Sequence, residues 1–459
     1  MPCQIFFPCT VGVKQGAIES PGIFSLYINL VADFVRLKGR HGVQMLPGMM
    51  EIFSLLFADD IALISTTPAG LQNQINSLVQ VSNTLRLKVN SDKTKIMVFR
   101  KGGHLAKGEQ WFLEGTKLVV NKYKYLGFVF TTKLSVNNAL EDLCVKGKQK
   151  ALHILKAMWS LRTLKTKVFF RMIDAQVVPT LLYSAEIWGL ERHKKIETVH
   201  LFASKKFLGL SVRTPNHMVY GDLGRFPLYV YSSIRVIKYW LKLSKMDYDR
   251  LPKQAYLMLH NSNIKGKLNW VNLVKELLQR LGFGYVWLNG GVQNDRCFTN
   301  QLKQRLKDWS LQEWNSINRT SDRYIWYSTF KTSFGLENYL NCLDIKKFRD
   351  TLIRFRFGIN DLAVNRRYES TEDVKCPFCT CRDDEIHLLF ECDTYDFLRQ
   401  KYLYGNDTIV NAKRSCCYWL NSTDYRRTRA IAMFVFYALR LRNVDDTNVN
   451  VDRSDNLCI

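Results

Sequence analysis

The sequence predicts an α+β protein, with strands confined to the first third, helices through most of the remainder, and a small Cys/His module near the C-terminus. Three observations predict it. Residues Ser54 to Ser65, SLLFADDIALIS, form two short apolar runs back to back around an acidic pair, the pattern of a β-hairpin. From about Asn137 the apolar residues recur at helical spacing and continue so. Cys376, Cys379, His387 and Cys392 then fall within seventeen residues.

The elements follow in order. Val11 to Gly16 leads into Ser20-Pro21, a helix start with Ser as N-cap and Pro at the first helical position. Ile23, Tyr27, Leu30 and Phe34 recur behind it as its expected apolar side. The hairpin comes next, its carboxylates Asp59 and Asp60 expected in the tight turn. Thr67-Pro68 opens a second helix with Leu71, Ile75, Leu78 and Leu85 on one side. Lys95 to Arg100 and Tyr125 to Thr131 read as strands, separated by a loop near Gly102-Gly103. In the helical part, residues 140–160 set Lys146, Lys148, Lys150 and Lys156 beside Leu143, Leu152 and Leu155. That pattern suits a basic helix on a duplex backbone and equally a surface helix with a charged outer face. Loop signals recur near Thr214-Pro215 and Gly290-Gly291.

Composition narrows the function classes. A chain of 459 residues with 47% hydrophobic and 13% aromatic residues is not disordered and can bury a large core. The net charge of +25 points to a polyanionic partner. The excess is +6 over residues 1–130, +13 over 131–260, +7 over 261–375 and −1 over 376–459. A plain solubility surplus would be more even, and the interleaved Trp, Tyr and Phe could stack on bases, so a nucleic-acid track is expected. The 12 Cys without a secretory signal suggest an intracellular, reduced protein. No apolar run approaches the length of a membrane span, so no membrane role is expected.

The Asp-Asp dipeptide occurs three times, at 59–60, 383–384 and 445–446, and carries no signal alone. Only the first is flanked on both sides by apolar residues. Such a pair on a rigid hairpin suits Mg²⁺, which takes one or two carboxylates plus phosphate and water oxygens. An ordinary polar turn would look the same. The spacing Cys376-x2-Cys379-x7-His387-x4-Cys392 fits a closed structural zinc site, with Pro377 in the first knuckle. Cys381 competes with Cys379 as a ligand, and Glu391 is a weaker candidate.

Taken in order, the motifs resemble the reverse transcriptases of non-LTR, LINE-type retrotransposons. Residues 12–21, GVKQGAIESP, look like the basic-Gln-Gly…Ser-Pro motif, and Phe57-Ala58-Asp59-Asp60 looks like the metal-binding hairpin. Asn90, Lys93 and Thr94 in VNSDKTK resemble the motif that follows, and Tyr125-Leu126-Gly127 is similar to the primer grip. Residues 179–189, PTLLYSAEIWG, residues 220–227, YGDLGRFP, and the Cys/His cluster look like segments that LINE proteins carry beyond the thumb.

The resemblance implies the C-terminal part of a polymerase palm, of antiparallel strands with helices, followed by a mainly helical thumb and linker and a zinc knuckle. The implied boundaries are 1–131 for a partial palm, 132–165 for a basic helical thumb and 166–355 for a helical linker. A zinc-knuckle region, 356–400, and a C-terminal helical tail, 401–459, complete the chain. Asp59 and Asp60 would hold catalytic Mg²⁺, the first as principal ligand. Lys93 would sit near the triphosphate, with Lys14, Gln15, Gly16, Phe57 and Ala58 binding nucleotide and template. Tyr125, Leu126 and Gly127 would grip the primer, and Cys376, Cys379, His387 and Cys392 would hold Zn²⁺. The implied partners are an RNA template and a DNA primer. Two-metal transfer needs a further carboxylate, which the family carries on a strand before the Gln-Gly motif, yet the first acidic residue here is Glu19. The sequence is therefore expected to begin partway through its palm and to be inactive as an isolated chain. A non-catalytic RNA- or DNA-binding remnant is the alternative.

Overall fold

A computed structural model of the chain describes residues 12–14, 16–38, 41–49, 51–100, 104–106, 109–113, 115–117, 119–262, 269–320, 325–365, 374–403 and 412–442. The first part holds α1 (Ser20–Lys38), β1 (Ser54–Phe57), β2 (Asp60–Leu63), α2 (Pro68–Thr84), β3 (Phe112–Leu113), β4 (Thr116–Lys117), β5 (Lys122–Tyr125) and β6 (Phe128–Thr131). Helices follow as α3 (Asn137–Ser160), α4 (Thr166–Met172), α5 (Val178–Leu181), α6 (Ala185–Trp188), α7 (Lys194–Phe207), α8 (Asn216–Leu223), α9 (Leu228–Ser244) and α10 (Leu251–Ser262). The rest comprises α11 (Trp270–Arg280), α12 (Gly284–Leu288), α13 (Asp295–Thr320), α14 (Ile325–Phe330), α15 (Tyr339–Cys342), α16 (Lys346–Arg356), α17 (Asp396–Tyr402), α18 (Ala412–Leu420) and α19 (Tyr425–Arg442). The fold is thus a mixed, mainly helical one with small antiparallel sheets. It divides into one compact unit of residues 1–139 with 242–273, and a second of residues 140–241 with 274–459.

Among the described residues, the first unit holds three two-stranded antiparallel sheets, β1-β2, β3-β4 and β5-β6, the first of them packed against α1 and α2. One core joins Ile28, Val31 and Val35 of α1 to Leu78 and Val81 of α2, with Leu56, Ile61 and Leu63 of the first hairpin packed on it. A second core joins Ile75, Ile96, Trp111 and Leu113.

The α2 start is as expected: Thr67 is the N-cap, its hydroxyl accepts from Gly70 N–H at 3.1 Å, and Pro68 opens the helix. Thr67→Ala is expected to cost about 1 kcal/mol, read as a shift in the urea-unfolding midpoint at constant slope. A change below a few tenths would show that the cap is dispensable.

Sequence expectation and structure part at α1. Its cap is Glu19, whose carbonyl accepts from Ile23 N–H at 3.0 Å, while the Ser20 hydroxyl donates outward to Lys14 O at 2.6 Å. The buried stripe is Ile28, Val31 and Val35, and the expected Ile23, Tyr27 and Leu30 are exposed. The helix carries two apolar stripes a residue apart, and periodicity cannot choose between them. Two strand readings also change. Within Lys95–Arg100, only Ile96 pairs, in an isolated parallel bridge with Val119. Tyr125–Thr131 belongs to a hairpin, β5-β6, that reverses at Leu126-Gly127. Both turn residues have positive φ, +46° and +79°, and the chain folds back where a continuous strand was expected. The Gly102-Gly103 loop lies outside the described residues.

The second unit explains two sequence segments that had no evident chemistry. In residues 179–189, Pro179 lacks a backbone N–H, and the helix before it widens into a π turn over Ile173–Val177. The Ser232 hydroxyl donates to Gly189 O at 2.7 Å, where a side chain on Gly189 would collide with Ser232. In residues 220–227, Asp222 is fully buried and central to a polar cluster. Its carboxylate accepts from the Tyr327 and Tyr339 hydroxyls, both at 2.8 Å, and from Arg356 Nε at 3.1 Å. Glu337 binds the other side of Arg356 at 3.0 Å and also pairs with buried Lys331. Gly224 turns the chain at φ +60°, with Gly335 and Leu336 backbone too close for any side chain. Arg225 pairs with Asp174 and lies over the Phe170 ring.

Candidate active site and metal centre

The acidic turn is built by strand pairing. The register Ser54↔Leu63 through Phe57↔Asp60 leaves a two-residue turn, Ala58-Asp59, so Asp60 is the first residue of β2 and Asp59 alone lies in the turn with Ala58. Ala58 has φ +51°, a left-handed conformation that costs a non-glycine residue roughly 1–2 kcal/mol. The hairpin is half buried: Leu56, Ile61 and Leu63 face the core, while Phe57 is 63% exposed beside the exposed Asp59 and Asp60. The carboxylates thus project from an anchored support into solvent.

A second loop is fastened beside β5-β6. Asn90 Oδ1 accepts from Lys93 N–H at 3.0 Å, and Asn90 O accepts from Thr94 N–H at 2.9 Å and from its hydroxyl at 2.7 Å. The Tyr123 hydroxyl donates to Lys93 O at 2.9 Å, tying this loop to β5. Tyr125 stands two residues along, on the same strand face. Burial pushes its hydroxyl pKa up, and the charge of Asp60 adds to that rise. Tyr125 thus feels the charge of Asp60, and the Lys93 loop is tied to the same strand through Tyr123. Tyr123 was missed by the motif reading, although the alternation KYKY was its signal.

Other expected residues stand apart. Gly16 has φ +88° and open space where a Cβ would lie, which suits close approach by a ligand. The Lys14 carbonyl accepts from Ala17 N–H at 3.3 Å and from the Ser20 hydroxyl. Gln15 lies outside the described residues. Among the described residues, no hydrogen bond or ion pair joins Lys14 or Gly16 to the acidic turn, and no third metal-ligating side chain clusters with Asp59 and Asp60. Two exposed carboxylates on a tight turn fit a hard cation that takes its other ligands from phosphate and water.

The Cys/His cluster is assembled. The donor atoms of Cys376, Cys379, His387 and Cys392 all lie within 4.8 Å of one another. Cys376 Sγ is 3.9 Å from Cys392 Sγ, and Cys379 Sγ is 3.2 Å from His387 Nε2. Three thiols and one imidazole suit tetrahedral zinc, leaving no open position for water. Hydrogen bonds to the backbone of Cys376, His387 and Cys392 order the cluster. Cys376 N–H donates to Cys381 O at 2.9 Å, closing the knuckle, and Asp384 Oδ1 accepts from Ile386 and His387 N–H at 3.1 and 2.9 Å. Cys381 is exposed and outside the cluster. Glu391 lies 3.4 Å from His387 Nδ1, a partner that orients the ring. Arg442 of α19 grips buried Asp383 at 2.8 and 2.6 Å, and Arg399 donates to Cys392 O. The signal for Asp383 was weak, a second Asp-Asp in polar surroundings.

Residues 3–130 match the family described as reverse transcriptase (RNA-dependent DNA polymerase). The chain is similar to an uncharacterised transposon-derived protein of Caenorhabditis elegans, 23% identical over 207 residues, which cover 43% of this chain and 70% of that protein. No solved structure matches. No helix among the described residues is long and apolar enough to cross a membrane.

Proposed function

We propose that this is a reverse-transcriptase-domain protein of a LINE-type retrotransposon that binds an RNA template and a DNA primer but does not extend the primer on its own. One observation carries the reading: inside the matched residues 3–130, Asp59 and Asp60 stand exposed at a tight hairpin whose apolar side is anchored in the core, and the charge of Asp60 helps raise the pKa of Tyr125. Asp59 and Asp60 bind Mg²⁺, which supplies charge neutralisation to nucleotide phosphates. Lys93 adds positive charge near the triphosphate, and Lys14, Gln15 and Gly16 with exposed Phe57 and Ala58 border the template. Tyr125 at the end of β5 and the Leu126-Gly127 turn hold the primer. Residues 132–165 serve as the thumb, 166–355 as the linker, 356–400 as a zinc-stabilised knuckle and 401–459 as the helical tail.

Two-metal transfer requires a carboxylate shared between the ions, and a pair of Asp side chains alone does not supply it. Primer extension on an RNA template with Mg²⁺ tests this directly. The wild-type chain and Asp59→Ala are both expected to give no product while retaining the annealed template and primer in a gel shift. Synthesis that disappears in Asp59→Ala would overturn the inactive reading, and absence of nucleic-acid binding would overturn the whole proposal.

A further inference from the structure

The second unit contains a half-open cavity of about 350 Å³ that the proposed function does not use. Its size is at the low end of small-ligand sites, which run roughly 300–1,000 Å³. Trp188, Tyr220, Phe226, Tyr229, Trp314 and Phe334 line it. An aromatic lining accepts a flat, polarisable group.

Charge and hydrogen bonding narrow that group. Glu313, on the lining, is engaged by Arg192 through both carboxylate oxygens at 2.7 and 2.8 Å. Glu197 is held by His200 Nδ1 at 3.0 Å, by Leu228 N–H at 2.8 Å and by the Tyr220 hydroxyl. Glu197 and Glu313 are thus satisfied internally, and a cationic ligand would have to compete for them, while the third lining acid, Glu191, is exposed. Cations also surround the site: Lys194 lines it, and Lys307 Nζ lies 5.3 Å from the Phe226 ring. Beside it, Trp309 carries two guanidinium contacts, from Arg192 at 5.0 Å and Arg280 at 5.4 Å. Asn216 has its oxygen fixed by Lys205 Nζ at 2.7 Å, so its Nδ2 is the end left to donate to a ligand edge.

We infer that this cavity takes one unstacked base of a single-stranded nucleic acid. The base face packs on the aromatic wall, its edge accepts from Asn216, and Lys194 and Lys307 meet the flanking phosphates. The inference rests on the nucleic-acid reading above but is independent of the acidic turn.

The test uses the full chain and two short oligonucleotides, one wholly abasic and one abasic except for a central 2-aminopurine, in RNA and DNA versions. The base-bearing strand is expected to bind about 5- to 100-fold more tightly, with quenching of its fluorescence. Ile317, a lining residue 38% exposed, can be enlarged at the mouth without entering the core. Ile317→Trp is expected to bring the ratio close to one while leaving the affinity for the abasic strand unchanged. Equal wild-type affinity for both strands, or a ratio unaltered in Ile317→Trp, would overturn the inference. Failure to bind either strand would instead overturn the nucleic-acid reading beneath it.

Discussion

Purified chain is expected to contain one zinc ion, and removing it with a strong chelator is expected to unfold the knuckle around residues 374–403. Structural zinc contributes roughly 10–16 kcal/mol to folding of isolated finger peptides near neutral pH. The loss here should be smaller than that range, because the knuckle is also held from outside by Arg442 on Asp383 and Arg399 on Cys392 O. It should still exceed any single side-chain change in this unit, since three thiols and an imidazole with donor atoms within 4.8 Å of one another can all serve one ion. Cys376→Ser is expected to lower zinc content below one per chain, and Cys381→Ser to leave it unchanged, because Cys381 is exposed and outside the cluster. Elemental analysis with a circular-dichroism melt in chelator checks this. Zinc-free protein whose melt ignores chelator would refute the site.

Asp222→Ala is expected to destabilise the second unit by about 3–5 kcal/mol, because it strands the buried Arg356 guanidinium. Glu337 still pairs with Arg356, which limits the loss. The Tyr327 and Tyr339 hydroxyls lose their acceptor at the same time. Both are buried and held well above the usual tyrosine pKa, first by burial and then by the charge of Asp222, so they stay protonated donors at neutral pH. Against a typical total of 5–15 kcal/mol, the change would leave the unit marginal. Lys195→Ala is the control: its pair with Glu141 is more than half exposed on both sides and should be worth under about 1 kcal/mol. Chemical denaturation of the two variants separates the cases. Equal midpoints would show that the buried cluster is not a stability element.

Legibility in the sequence followed the range of the interaction. The Thr67-Pro68 start was readable because a cap and a missing N–H act within four residues. The Cys/His cluster was readable because short spacing almost brings its side chains together by itself. The acidic hairpin was readable as a hairpin, though only pairing register showed that Asp60 belongs to β2 while Asp59 stays in the turn. Residues 179–189 and 220–227 were visible as segments without an assigned task. Their work depends on Ser232, Tyr327, Tyr339 and Arg356, which are remote in sequence.

By itself, the sequence determined the charge excess and its position, which Cys and His side chains cluster near the C-terminus, and the placement of helices and turns whose signals are local. Tertiary structure decided which stripe of α1 is buried, because only contact with Leu78 and Val81 distinguishes two equally periodic faces. It also decided that Tyr125 lies near enough to Asp60 to feel its charge, and that Asp222 anchors a buried cluster. Those outcomes depend on groups brought together through space, and a one-dimensional pattern carries no record of that distance.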